Sequence, residues 1–349
     1  MSSKRVVIIG MDGGTFELMM PWIAEGDLPN LAHLIANGSH GPLASTIQPT
    51  TAPAWVTFMT GVNQGKHGLY DFVQRRPESY NLQVTNATHV RAPTLFDIAS
   101  WHGLKVVAIN VPYTFPPHPV NGVIVGGPFA PSVSRELVSP PRYYDLLQET
   151  VPNYFVLPDY EARVPDPLAD YADKLMDGIA MRERLSLRML REVPWDLFMV
   201  VFMATDEAQH TFWHCMEAAE GSPEARYRRV IHDIYRRVDQ AVGAILEQVA
   251  VDGQSEETVV LVVSDHGAGP FYLMVNLTEW LAQEGYLVFR SDRRGYLNRL
   301  YAGWIKRLMR VYRRYLPADV RATIRGRLGA DLFDQAKGGF ESVLLTDSI

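Results

Sequence analysis

The sequence TVVLVVSDHG, residues 258–267, places five aliphatic residues before Ser-Asp-His. A continuous aliphatic run without polar alternation is typical of a strand that is buried on both faces of a parallel sheet. In an open sheet of this kind, ligands bind beyond the carboxyl ends of the strands. We therefore expect Asp265 and His266 to contribute to a site at that edge of the sheet.

Further apolar runs of the same type predict the other strands of this sheet. They are RVVIIGMD (5–12), KVVAINV (105–111), GVIVGG (122–127) and DLFMVVFMATD (196–206). Between the strands, apolar residues recur at helical spacing in LPNLAHLIANG (28–38), APTLFDIASWHG (92–103) and a long stretch at 222–253. The alternation predicts an α/β fold with a mostly parallel central sheet and helices on both faces.

The predicted core is discontinuous and comprises residues 1–127 and 195–289. Residues 128–194 begin with a proline-rich stretch that shows no strand pattern and end in a long helical stretch. We interpret them as a cap insertion over the sheet. Residues 290–330 are interpreted as a basic helical insertion, and residues 331–349 as the start of a truncated C-terminal part.

The charge of the chain is unevenly distributed. Residues 290–327 carry one Lys and eleven Arg against two Asp, a net charge of +10, whereas the whole chain carries −6. Within 297–329, apolar residues at helical spacing face away from the arginines, and two interpretations stay open. Such a helix can make peripheral contact with a membrane or a lipid substrate, or it can pack on its own domain. The acidic total charge predicts no nucleic-acid polymer as partner.

The composition also excludes several kinds of site. The single cysteine, Cys215, rules out a disulfide framework and a thiolate zinc site, so any metal must be held by His, Asp or Glu. The first apolar run leads into a glycine-rich turn rather than a cleavage site, and no stretch of about 18 apolar residues occurs. We therefore expect a cytoplasmic protein.

Metal-binding side chains follow three of the predicted strands. Asp12 follows the first strand, Asp206 the fourth with His210 four residues later, and Asp265 with His266 the fifth. Each feature alone is also typical of a turn, a cap or a surface histidine, but their coincidence favours one shared site. Unpaired carboxylates packed together raise each other's pKa, and a divalent cation relieves the repulsion. Oxygen and imidazole ligands suit Zn²⁺, with Mn²⁺ or Mg²⁺ as alternatives.

A second candidate feature is QPTTAPAWVTFMTG, residues 48–61, where two threonines precede a proline and an apolar helical run. Proline is well tolerated in the first turn of a helix, so Thr50 or Thr51 should lie at a helix N-terminus. There, free backbone N–H groups favour an anion such as phosphate. A hydroxyl on a divalent metal becomes a nucleophile more readily. A plain helix cap is the alternative for either threonine.

Five motifs in this order resemble the alkaline phosphatase superfamily and, within it, the type I phosphodiesterase/nucleotide pyrophosphatase family. They are VVIIGMDGG, LPNLAHLIANG, PTTAPAWVTFMTGVNQGKHGLYDF, VFMATDEAQHTFWH and VVSDHGAGP. The resemblance covers residues 4–127 and 195–287. It implies a hydrolase with two divalent metal ions, usually zinc, that cleaves small-molecule phosphate esters through a phosphothreonine intermediate.

The resemblance also implies a role for each residue of the first metal site. Asp12, Thr51, Asp265 and His266 match the ligands of one metal ion. Thr51 matches the nucleophile as well, because the family's nucleophile lies two residues before the proline, which is Pro53 in this sequence.

The sequence departs from the family pattern in places that bear on function. Asp206 and His210 match two ligands of the second metal, but no histidine after His266 matches the third. Phe72 stands where nucleotide pyrophosphatases often carry an asparagine that binds a phosphoryl oxygen, which argues against a nucleotide-type diester. Cys215 is followed by Met-Glu-Ala-Ala, which excludes the sulfatase branch.

Metal-dependent hydrolysis of the phosphodiesterase type is the preferred functional hypothesis. One alternative is a phosphotransferase or mutase of the same superfamily, which would pass the phosphoryl group to an acceptor other than water. Another is a catalytically inactive descendant that binds a membrane or a partner, suggested by the unmatched third histidine and the basic segment. The sequence makes no prediction of the oligomeric state.

Overall fold

The computed structural model describes residues 5–79, 81–251, 258–273 and 275–288. They fall into two compact units, a larger one with residues up to Asp71 and Asn86–Pro270, and a smaller one with Phe72–Thr85 and residues from Phe271 onward. The predicted basic insertion and C-terminal part, including the helix at 297–329, lie outside the described residues.

The described residues form eight strands and ten α-helices. The strands are β1 (Arg5–Met11), β2 (Val73–Arg75), β3 (Leu82–Val84), β4 (Val106–Val111), β5 (Gly122–Gly126), β6 (Val138–Ser139), β7 (Leu197–Phe202) and β8 (Thr258–Val263). The helices are α1 (Phe16–Ala24), α2 (Pro29–Asn37), α3 (Thr51–Thr60), α4 (Gln64–His67), α5 (Leu95–Trp101), α6 (Tyr144–Thr150), α7 (Pro167–Glu192), α8 (Ala204–Phe212), α9 (Val230–Val251) and α10 (Leu277–Gln283).

The larger unit is built on a six-stranded sheet with the strand order β6-β5-β4-β7-β1-β8. All neighbouring strands are parallel except β5 and β6. β1 lies between β7 and β8, so that Ile8 pairs with Met199 on one side and with Leu261 on the other. The predicted α/β fold with a mostly parallel sheet is confirmed.

Helices cover both faces of the sheet. On one face, α7 and α9 belong to the main hydrophobic cluster together with Val7 and Ile9 of β1. On the other face, Trp55 of α3 lies so close to Gly10 that a Cβ there would come within 2.5 Å of the indole. Successive strand residues point to opposite faces, so β1 anchors both helical layers. Burial of these apolar side chains is the main favourable term in folding.

Two predicted strand features differ from the structure. β8 is not buried on both faces: Val259 and Leu261 are 44% and 40% exposed, because only β1 pairs with β8 among the described residues. Asp206 does not end a strand, because β7 stops at Phe202 and the chain enters α8 first. Asp206 therefore lies in the first turn of a helix.

Two predictions about other segments also differ from the structure. The stretch 222–253 is not one helix, because a short 3₁₀ helix, Pro223–Tyr227, precedes α9. Its charged sequence offers little apolar surface besides Tyr227, so no α-helical face is buried there. Residues 128–194 were expected to lack strands, but they contribute β6 to the sheet edge.

The segment 128–194 lies in the larger unit, where α7 packs against α9, β4 and β7. Its role as a cap over the site stays a prediction. In the smaller unit, β2 and β3 form an antiparallel pair, and Phe72 accepts a backbone hydrogen bond from Thr85. Among the helices that the structure describes, none combines the length and the apolar character needed to cross a membrane.

Candidate active site

Asp12, Asp265 and His266 lie together at the carboxyl edge of the sheet, directly after β1 and β8. Each offers a ligand atom within 4.8 Å of the other two. His266 Nε2 is 3.6 Å from Asp12 Oδ1 and 3.3 Å from Asp265 Oδ2. The Thr51 hydroxyl is 3.3 Å from both Asp12 Oδ1 and His266 Nε2. The structure thus places four of the residues predicted from the sequence in one cluster, which we call the threonine cluster.

Asp206 and His210 form a second pair on α8, which we call the α8 pair. His210 Nε2 lies 3.4 Å from Asp206 Oδ1, and the His210 side chain is 76% exposed. Asp206 adjoins the threonine cluster, because a Cβ on Gly13 would be 2.8 Å from Asp206 Oδ1. Among the described residues, no third His, Cys, Asp or Glu joins the α8 pair in a metal-binding group. The structure thus brings the two predicted residues of the α8 pair together and adds no third ligand to them among the described residues.

Hydrogen bonds from neighbouring elements fix the Asp12 carboxylate. Trp55 Nε1 donates to Asp12 Oδ2 over 2.7 Å, which leaves Oδ1 facing Thr51. The Thr205 hydroxyl donates to the Asp12 backbone carbonyl. Trp55 was not singled out in the sequence, although a signal was present: it lies four residues after Thr51, on the same side of α3.

The turn after β1 contacts both the segment after β8 and the helix α8, which carry other residues of the site. Gly13 has φ +64°, a conformation that favours glycine. Its N–H donates to Asp265 Oδ1 over 3.1 Å, and its carbonyl accepts from Gln209 of α8 over 2.9 Å. One glycine therefore connects the end of β1 with the end of β8 and with the helix that carries Asp206.

The tautomer of His266 follows from its contact with a backbone carbonyl. His266 Nδ1 is 2.9 Å from the carbonyl oxygen of Gly267. A carbonyl can only accept, so Nδ1 donates and, in the neutral ring, Nε2 keeps its lone pair. Nε2 points into the threonine cluster, as expected of a histidine that binds a metal.

The electrostatics of the site are unfavourable without a cation. Burial raises the pKa of Asp12 well above its usual value, and the charges of Asp265 and Asp206 raise it further. Burial also raises the pKa of Asp265 to about 6 and raises the pKa of Asp206. Among the described residues, Asp265 Oδ2 is buried without a hydrogen-bond partner. It faces a nitrogen that carries no proton in this tautomer.

This donor set fits a divalent cation. A buried carboxylate oxygen without a donor, a second carboxylate and an imidazole nitrogen converge on one point. A positive ion would stabilise the ionised carboxylates and occupy the free lone pairs. Mixed oxygen and nitrogen ligands of this type suit zinc and also allow manganese or magnesium.

The N-terminus of α3 completes the site. Thr51 is the first residue of α3, and Thr50 is its N-cap residue, with extended backbone and no side-chain capping bond. The Thr50 hydroxyl is buried without a hydrogen-bond partner among the described residues. The helix start beside Thr51 is therefore not closed by a side-chain cap, and its free N–H groups can face an anion.

Comparison with known proteins places the chain in a family. The family model of type I phosphodiesterase / nucleotide pyrophosphatase matches residues 6–346. The chain is similar in fold to phosphonoacetate hydrolase from Sinorhizobium meliloti 1021 in complex with phosphonoformate, with 15% identity and a TM-score of 0.50 over 80% of this chain and 62% of that one. The same hydrolase in complex with phosphonoacetate matches with 15% identity, a TM-score of 0.47 and the same coverage.

The chain thus spans about 62% of the length of the hydrolase. No curated protein matches the chain in sequence. The match to the family model, however, extends over almost the whole sequence, and the matched range includes every motif on which the resemblance rested. As those motifs predicted, the chain belongs to the type I phosphodiesterase / nucleotide pyrophosphatase family.

Proposed function

We propose that this protein hydrolyses small-molecule phosphate esters in a metal-dependent reaction of the phosphodiesterase type, with Thr51 as the nucleophile. Membership of the family supports phosphoester hydrolysis of the phosphodiesterase or pyrophosphatase type. The proposed role of Thr51 is supported by the position of its hydroxyl, which lies 3.3 Å from both Asp12 Oδ1 and His266 Nε2. Thr51 also opens a helix that has no side-chain cap. A hydroxyl nucleophile, a carboxylate that orients it and ligands for a cation meet there.

Two divalent ions, preferably zinc, with manganese or magnesium as alternatives, complete the proposed site. Their protein ligands would be Asp12, Thr51, Asp265 and His266 for the first ion, and Asp206 and His210 for the second. When bound, such ions stabilise negative charge on a phosphoryl group and lower the pKa of a coordinated hydroxyl.

The chain's own residues have distinct parts in this reaction. Asp12 Oδ1 accepts a hydrogen bond from the Thr51 hydroxyl and orients its oxygen, while Trp55 holds the other carboxylate oxygen in place. Attack of Thr51 Oγ1 on phosphorus forms a phosphothreonine and breaks the ester bond; the Thr51 proton passes to solvent, and the leaving alkoxide takes up a proton from solvent. Water then hydrolyses the phosphothreonine and restores the hydroxyl.

The nucleophile is tested by comparing Thr51→Ala with Thr50→Ala, its neighbour at the same helix start. We expect Thr51→Ala to lower turnover by about a thousandfold or more, because alanine has no hydroxyl to form the phosphothreonine. Thr50→Ala should keep most of the activity. Initial rates with bis(4-nitrophenyl) phosphate and 4-nitrophenyl phosphate, on zinc-loaded protein of measured metal content, give the comparison.

Wild-type rates in Thr51→Ala would contradict the assignment of the nucleophile. Loss of activity in Thr50→Ala with retention in Thr51→Ala would move that role to Thr50. The carboxylates and His266 remain in both variants. The measured metal content therefore distinguishes activity lost with the nucleophile from activity lost with the metal ion.

A further inference from the structure

Gln209 is a buried amide on α8 that belongs to neither the threonine cluster nor the α8 pair. It is only 4% exposed, although it directly precedes the exposed His210. Its Nε2 donates to the backbone carbonyls of Gly13 and Thr205, over 2.9 Å in each case. A carbonyl can only accept, so both protons of the amide are used, one on the turn after β1 and one inside α8.

Tyr235 of α9 fixes the orientation of this amide. The Tyr235 hydroxyl accepts from the Thr15 N–H over 3.3 Å and donates to Gln209 Oε1 over 3.4 Å. Tyr235 is completely buried, so its single proton has the amide oxygen as its acceptor. The amide oxygen is thereby held towards α9, while the amide nitrogen faces the turn after β1.

Two residues of α8 bind consecutive carbonyls of this turn. Gln209 donates to the Gly13 carbonyl, and the Thr205 hydroxyl donates to the Asp12 carbonyl. These two contacts flank Asp206 in the sequence. A Cβ on Gly13 would lie 2.8 Å from Asp206 Oδ1, so the carboxylate lies directly against the turn. The two contacts therefore fix where Asp206 lies relative to Asp12.

Gly13 connects the amide with the threonine cluster. Its carbonyl accepts from Gln209, and its N–H donates to Asp265 Oδ1 over 3.1 Å. A chain of contacts therefore runs from Tyr235 through Gln209 and Gly13 to a carboxylate of the threonine cluster. The spacing between this cluster and the α8 pair thus depends on hydrogen bonds made by α8 and α9.

Apolar contacts already hold α8 in the fold without this amide. Ala208 and Phe212 of α8 belong to the main hydrophobic cluster, and both are completely buried. A methionine at position 209 would fill similar space and need no partners. Burying an amide costs free energy unless its groups are hydrogen-bonded, and Gln209 has partners for its oxygen and both protons. A satisfied network of this kind specifies one arrangement of its elements.

We propose that Gln209 is a positioning residue that holds Asp206 at a fixed distance from the threonine cluster. Tyr235 acts through it by keeping the amide in one orientation. The inference rests on the proposed function, in which the cluster and the α8 pair hold two ions. The ion beside Asp206 and His210 should depend more on this positioning, because no third ligand joins that pair among the described residues.

The test measures zinc binding by Gln209→Met and Tyr235→Phe in competition with a chelator, at a temperature well below the Tm. We expect the wild type to bind two zinc ions. Gln209→Met, which removes the whole amide, should weaken binding of the second ion by about a hundredfold. Tyr235→Phe should weaken it by about tenfold, because the amide loses one partner and keeps the other two.

Tyr227→Phe is the matched control for Tyr235→Phe. Tyr227 is also buried, and its hydroxyl donates to Asp166, which is not a residue of the site. The control should lower the Tm but keep the zinc affinities of the wild type. Lowered Tm values in all three variants, with unchanged zinc affinities, would show a role in folding alone and overturn the inference. If Gln209→Met does not fold, Tyr235→Phe and its control decide the question.

Turnover separates this inference from the proposed function. Unchanged zinc affinities in Tyr235→Phe and Gln209→Met, with a wild type that hydrolyses the nitrophenyl esters, would overturn the positioning role alone. Zinc binding weakened in these variants but not in Tyr227→Phe, with a wild type that hydrolyses neither ester, would support the positioning role and contradict the proposed function. Fewer than two zinc ions bound by the wild type would contradict both.

Discussion

At the residue scale, the orientation of one carboxylate decides whether the site can work. Asp12 is completely buried, and Trp55 Nε1 donates a hydrogen bond of 2.7 Å to one of its carboxylate oxygens. The other oxygen is thereby directed at Thr51 and His266. In the proposed metal site, this hydrogen bond would fix the orientation of the carboxylate and strengthen its hold on the ion.

Replacing Trp55 by Phe removes this donor and keeps an aromatic ring. We expect Trp55→Phe to weaken binding of the first zinc ion by about tenfold to a hundredfold, as measured by competition with a chelator. Trp101→Phe is the control, since Trp101 is 71% exposed. Equal zinc affinities in the two variants would show that the indole does not support Asp12.

Single residues were predictable where the sequence position itself carries the signal. Asp12, Asp265 and Thr51 directly follow a strand or open a helix, so chain order alone places them at one edge. Trp55 was missed, because its contact with Asp12 depends on which side chain it meets in the folded protein.

At the element scale, the turn after β1 joins three elements. Gly13 bonds to Asp265 after β8 and to Gln209 of α8, and its φ of +64° suits glycine. Any side chain there would meet Asp206, whose Oδ1 would lie 2.8 Å from the new Cβ. The turn therefore sets the spacing between the threonine cluster and the α8 pair.

Gly13→Ala and Gly26→Ala separate backbone strain from this contact. Both glycines have positive φ, but a Cβ on Gly26 would meet nothing within 4 Å. Urea denaturation should show a loss of about 1–2 kcal/mol from left-handed strain in Gly26→Ala and a larger loss in Gly13→Ala. Only Gly13→Ala should also weaken zinc binding. Equal losses of stability in the two variants, with zinc binding unchanged in each, would contradict the role given to the turn.

The long elements were predicted better than the short ones. β4 and β7 are fully buried and almost entirely apolar, so their sequence alone predicts them. β6, with two residues, and the pair β2 and β3, with three each, depend on a partner strand rather than on an internal pattern. The break before α9 was missed for a related reason, since tertiary burial decides where a polar stretch stops being helical.

At the scale of the whole molecule, the buried carboxylates couple stability to pH. Asp12, Asp206 and Asp265 have raised pKa values in the folded protein. Above their unfolded pKa of about 4, the unfolded chain gives up these protons before the folded one does. The metal-free protein should therefore lose stability as the pH rises from about 4 to about 6, where Asp265 titrates. Asp27 and Asp166 have lowered pKa values in the folded protein. Their effect on stability is therefore opposite, a gain as the pH rises, and it falls at lower pH.

Zinc should reverse this loss, because it binds the deprotonated ligands of the folded state. Thermal unfolding at about pH 5 and about pH 7.5, with and without zinc, measures the effect. We expect a larger zinc-induced rise in Tm at the higher pH, and a smaller one in Asp265→Asn. A rise that is equal at both pH values, or larger at pH 5, would contradict a carboxylate metal site.

Zinc-edge anomalous diffraction from crystals of the zinc-loaded protein tests the central claim most directly, because it locates the ions themselves. We predict one peak among Asp12, Asp265 and His266 and a second peak beside Asp206 and His210. No peak in the threonine cluster, or zinc bound only elsewhere on the protein, would contradict a metal-dependent active site at this edge of the sheet.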